Sequence, residues 1–108
     1  MTDKIIVLAA CGSAEEAEIV ARALVENRLA ACASIVPGVR SIYRWQGAIE
    51  DAQEWLLIVK TTRELFERLQ AEVRRLHSYE LPEILAIQVA AGFEEYLNWI
   101  DESTGRLQ

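Results

Sequence analysis

Residues 31–61 constrain the fold more than any other stretch, because they hold two β-forming segments on either side of Gly47. Ala31–Val36 is an apolar run, Pro37-Gly38 interrupts it, and the chain resumes as V-R-S-I-Y-R-W-Q through Gln46. A proline inside such a run is tolerated at a bulge or on an edge, so the reading is one long strand bent at Pro37. Gly47 opens a turn through Glu50-Asp51, and Gln53–Thr61 returns as the next strand, apolar and branched from Trp55 to Val59. Strands usually run about five or six residues, so this hairpin projects beyond its own sheet. Projecting strands expose edges that must be paired or covered. Tyr43, Trp45 and Trp55 are large groups to leave in water, and another subunit is expected to cover them.

The remaining elements fall around this hairpin. Lys4–Ala10 is a short continuous apolar run that reads as a central strand buried on both faces. Ser13 with Glu16 three residues on has the form of a capping box for the helix that follows. On that helix Ala17, Val20, Ala21 and Leu24 oppose a polar stripe of Glu15, Glu18, Arg22 and Glu26, and Asn27-Arg28 fits its end. Thr61 with Glu64 repeats the capping pattern before a second helix, with Leu65, Phe66, Leu69, Val73 and Leu76 on its apolar face. Ile84–Ala90 reads as a fourth strand ended near Gly92, and Phe93, Tyr96, Leu97 and Ile100 space a short closing helix. The order strand–helix–strand–strand–helix–strand is the split βαβ arrangement. The predicted fold class is therefore α+β, a ferredoxin-like βαββαβ sandwich with both helices on one face of a four-stranded antiparallel sheet.

One domain spanning residues 1–108 accommodates all of this. Seventeen acids against eleven bases give a net charge of −6, which argues against nucleic acid or an anionic membrane as partner, since both require a basic patch. The apolar run after Lys4 is too short for a secretory core or a membrane span. Cys11 and Cys32 are too few for a disulfide framework, so a cytoplasmic location with reduced thiols is expected.

The stretch L-H-S-Y-E-L-P-E, residues 76–83, carries the single histidine together with Tyr79, Glu80 and Glu83. A polar loop clamped between a helix and a strand is where binding chemistry tends to sit. The same residues serve a plain helix stop, with the His77 ring at the negative helix end and Pro82 barring continuation. Neither a G-x-S-x-G turn nor a P-loop is present, and no enzymatic activity is expected. Thiol and imidazole suit copper or zinc, yet the spacing forms no C-x-x-C or H-x-x-x-H cluster. A full coordination shell would draw on water or a neighbouring subunit. Glu80, Glu83, Tyr79 and Lys60 could instead line a small-molecule pocket.

The runs P-G-V-R-S-I-Y-R-W-Q-G (37–47), L-L-I-V-K-T-T (56–62), H-S-Y-E-L-P-E (77–83) and Y-L-N-W-I-D-E-S-T (96–104), with L-A-A-C-A at 29–33, resemble the CutA divalent-cation tolerance family over essentially the whole chain. The resemblance implies a tight, non-enzymatic homotrimer built through the long strands, resident in the cytoplasm and active in the response to divalent metal ions. Some bacterial members are described as binding copper through a first-strand cysteine and two adjacent histidines. Here those positions are Ala9, Leu76 and His77, with Cys11 two residues along the strand on the same face as Ala9. The implied ligand for copper or another divalent cation is His77, joined by Cys11, with Glu80 or Glu83 as oxygen donors. The family is similar in trimer architecture to PII signalling proteins. The alternative reading is thus a PII-like sensor taking a small anionic metabolite in an inter-subunit cleft walled by Tyr43, Trp45, Lys60, Tyr79 and Glu83, with Lys60 as the charge partner.

Overall fold

In the computed structural model, which describes residues 1–105, β1 (Lys4–Cys11) leads into α1 (Ala14–Glu26), then β2 (Cys32–Trp45) and β3 (Ala48–Thr62). One turn of 3-10 helix (Arg63–Leu65) precedes α2 (Phe66–Leu76), β4 (Ile84–Gln88) and α3 (Glu94–Ser103). The described residues form one antiparallel sheet in the order β2-β3-β1-β4, as the ferredoxin-like reading requires. No helix among them is long and apolar enough to cross a membrane.

Side chains alternate along a strand, and β1 uses this to divide the molecule. Ile5, Val7, Ala9 and Cys11 face α1 and α2, where they join Val20, Leu24, Leu69, Val73, Leu57 and Val59 in the core. Ala17 and Ala21, both buried, let the helix axis approach the sheet closely. The other face of β1 is not buried throughout, against the expectation for a strand of this composition. α3 covers one end of that face, where Ile100 is buried and Asp101 meets Lys4 Nζ at 3.1 Å. Burial pulls the Lys4 ammonium down, but its hydrogen bonds to Asp3 and Asp101 together outweigh this and leave it raised. Further along, Leu85 and Ile87 of β4 pair with Leu8 and Ile6 and remain 57% and 49% exposed.

The hairpin is longer than its sequence reading. Gln46 and Gly47 both take positive φ, 49° and 82°, the geometry of a two-residue turn that matches strand twist. β3 therefore begins at Ala48, and Glu50-Asp51 lie within the strand rather than in a turn. The pairing of β2 with β3 shifts between Val36 and Val39, which is the bend expected at Pro37. The skipped Gly38 has φ 76°, a conformation that favours glycine. The protruding ribbon draws the molecule out to 49 Å along one axis against 25 and 23 Å on the others.

Two local expectations are revised. Thr61 does not cap α2: it is buried in β3, and its hydroxyl donates to the Leu29 carbonyl at 2.7 Å. The helix starts instead through the 3-10 turn after Thr62, without a side-chain cap. Trp55 is half-buried against the domain's own core, because Cys11 pairs with it across β1 and β3 on the helix side. Tyr43 is exposed and Trp45 half-buried on the hairpin.

Candidate metal centre

Cys11, Glu16 and His77 converge at one end of β1. Cys11 is the strand's last residue and points at the helices. Ser13 then turns the chain into α1, its hydroxyl accepting the Glu16 N–H at 3.1 Å as an N-cap should. The reciprocal half of the capping box is replaced. The Glu16 carboxylate reaches across to accept the Ser78 N–H at 3.1 Å through Oε1. His77 caps the far end of α2 with extended backbone (φ −79°, ψ 140°), which turns its ring inward, away from the helix end it was expected to complement.

The buried His77 ring has its tautomer set by its surroundings. Nε2 lies 2.6 Å from the Ala10 carbonyl, which can only accept, so Nε2 carries the hydrogen. Nδ1 then holds the lone pair, and it accepts the Tyr79 N–H at 3.0 Å. Glu16 Oε2 stands 3.4 Å from Nδ1, buried and with no hydrogen-bond partner among the described residues. Two acceptors therefore face one another with no donor between them. The Cys11 thiol completes the group: one ligand atom from each of the three residues lies within 4.8 Å of the others. Burial, with the nearby Glu16 and Glu54 carboxylates, pushes this thiol up to about 11, so it is protonated at neutral pH.

These residues fit a borderline-soft divalent cation. One sulfur, one imidazole nitrogen and one carboxylate oxygen are the donor types of zinc-like sites, and a cation would satisfy the orphaned Glu16 oxygen. Ligands of a tetrahedral zinc sit roughly 3.5 Å apart given bonds of about 2.0–2.3 Å; Glu16 Oε2 and His77 Nδ1 already stand at 3.4 Å, and no separation in the group exceeds 4.8 Å.

Beside this cluster runs a groove of about 660 Å³ whose walls include Tyr43, Trp45, Glu54, Tyr79, Glu80 and Glu83. Tyr79 joins the two places. Its ring packs on His77 with centroids 4.7 Å apart, and its hydroxyl donates to Glu54 Oε2 at 2.9 Å. A Cβ on Gly12 would come within 2.8 Å of the Tyr79 hydroxyl, so only glycine leaves room for the ring there. Burial and the bond to Glu54 raise the phenol.

The sequence-based sites are thus partly reassembled. His77 and Cys11 come together, but Glu80 and Glu83 line the groove, and the oxygen donor beside His77 is Glu16. Lys60 lies elsewhere, its ammonium 3.0 Å from Ser34 Oγ and 3.8 Å from Cys32 Sγ, because it faces β2 across the hairpin base. With three carboxylates lining it against Arg44, the groove is ill suited to an anion.

Residues 5–103 match the family described as CutA1 divalent ion tolerance protein. The chain belongs to this family. Two microbial CutA relatives agree along most of their own lengths. The divalent-cation tolerance protein CutA of Thermus thermophilus is 53% identical over 93% of this chain and 97% of its own. That of Archaeoglobus fulgidus is 47% identical over 84% and 88%. The crystal structure of CutA from Xylella fastidiosa superposes with a TM-score of 0.93 at 42% identity, covering 95% of this chain and 99% of that one. These matches lend no support to the PII-like sensor reading.

Proposed function

We propose that this CutA chain serves divalent-cation tolerance by binding a borderline-soft cation, copper or zinc in character, at Cys11, Glu16 and His77, without turnover and in a reducing cytoplasm. The unsatisfied Glu16 Oε2 beside His77 Nδ1 carries this reading, because a buried polar atom without a partner costs about 1–3 kcal/mol unless something else compensates it. Titration calorimetry with Zn²⁺ tests it. One cation per chain is expected, with affinity reduced at least tenfold in His77→Ala and in Glu16→Gln, since even residues that merely orient ligands are worth about 10–100-fold. Affinities equal to the parent in both variants, or no binding in the parent, would remove the site.

The working unit in this proposal is a homotrimer. Leu85 and Ile87 on the open sheet face, with Val36 and Tyr43 on the projecting ribbon, form apolar surface of the kind that marks an interface. Light scattering is expected to give three times the chain mass down to nanomolar concentration. A monomer peak under those conditions sinks the trimer.

A further inference from the structure

The geometry points to a latch: the backbone N–H of Tyr79 occupies the His77 lone pair that a cation would use, so that loading the centre releases Tyr79 and reshapes the groove beside it. This rests on the metal-binding reading above. An imidazole nitrogen has one in-plane lone pair, and that of His77 Nδ1 already accepts the Tyr79 N–H at 3.0 Å. The other nitrogen is committed to the Ala10 carbonyl at 2.6 Å. Ligation through Nδ1 and the Tyr79 hydrogen bond therefore exclude one another. The neighbouring N–H, of Ser78, holds a second ligand, Glu16, through Oε1 at 3.1 Å, so Oε2 still faces Nδ1 at 3.4 Å and the exclusion falls on Tyr79 alone.

Displacing the Tyr79 backbone cannot stay local. The same residue rests its ring on His77 and over Gly12, and anchors its hydroxyl on Glu54, a carboxylate only 6% exposed. Glu80, Leu81 and Glu83 follow it directly and line the groove. Occupancy of the centre and the unloaded shape of the groove are consequently in competition. By linkage, anything that clamps Tyr79 in place weakens cation binding by the same factor that the cation weakens the clamp.

Co²⁺ and Zn²⁺ titrations of the full chain and of Tyr79→Phe, with hydrogen exchange over residues 77–83, test this. Tyr79→Phe keeps the backbone N–H but loses the tie to Glu54. One net hydrogen bond corresponds to about a two- to tenfold change in an equilibrium, so Co²⁺ affinity should rise by that much. In the parent, Zn²⁺ should accelerate amide exchange from Tyr79 through Glu83 while a thiolate-to-Co²⁺ charge-transfer band reports Cys11. A band with unchanged exchange, or with equal Co²⁺ affinity in Tyr79→Phe, overturns the latch and leaves the site standing. Absence of Zn²⁺ and Co²⁺ binding in both proteins removes the site and the latch together.

Discussion

Truncating Leu57 to alanine is expected to lower the unfolding free energy by about 3 kcal/mol, within the 2–5 kcal/mol span for deleting a buried leucine side chain. Leu57 is fully buried in the middle of β3, paired with Ala9 on one side and Ile35 on the other. Its nearest partner across β1 is an alanine, which has no spare side chain to move into the void. The backbone there is fixed by two antiparallel ladders, so little collapse can offset the cavity. Denaturant unfolding at fixed protein concentration reads the effect, concentration being held because association shifts apparent stability. Leu85→Ala is the control. That side chain lies on the open sheet face, so its loss should barely change the stability of a lone chain and should act on assembly instead. A Leu57→Ala loss below about 1 kcal/mol would show that the β3 core is looser than this packing implies.

The contrast between Leu57 and Leu85 also shows what the sequence could and could not reveal. Both are apolar residues in strands of similar composition, and periodicity places each in the sheet. Which face α3 covers depends on the Lys4–Asp101 contact, 97 residues apart, and no local pattern encodes it. The succession of elements along the chain and the bend at Pro37 were legible because they follow from short-range chemistry: apolar runs, glycine turns and a proline without an N–H. The centre was half legible. His77 and Cys11 stood out by rarity, whereas Glu16 was hidden inside a motif that already explained it. A Ser-x-x-Glu pattern before an apolar helix reads as a capping box, and only the approach of α2 to the start of α1 redirects that carboxylate to Ser78 and His77. Glu54 was missed for a related reason, as one acid among several on the hairpin. Its burial under Tyr79 is what distinguishes it. Lys60 stands apart from the groove of its own chain, beside Ser34 and Cys32 on the strand across from it, a pairing that its sequence neighbours do not encode.

Stability should fall steeply as pH rises from 9 to 11, by roughly 2–3 kcal/mol in total, at 1.36 kcal/mol per pH unit for a single displaced proton. The Cys11 thiol supplies this slope. Its ordinary value is 9.0, and burial with the Glu16 and Glu54 charges raises it to about 11 in the folded chain. Below pH 9 both states hold the proton and the group is neutral to folding. Between 9 and 11 the unfolded chain releases it while the native chain retains it, so the unfolded state binds fewer protons and gains ground. Tyr79 and Lys4 are also raised on folding, but from 10.0 and 10.5, so their losses begin later and in the same direction. The interval from pH 9 to 10 therefore belongs to Cys11. Urea midpoints across that interval should decline in the parent and flatten in Cys11→Ala; an undiminished decline in the variant would assign the slope to another group. Zn²⁺ supplies a second sign test, because a metal-bound cysteine is a thiolate. In the loaded protein the native state holds no proton at Cys11 while the unfolded chain still does below pH 9. Stability should then climb with pH through the range where the unloaded protein is level.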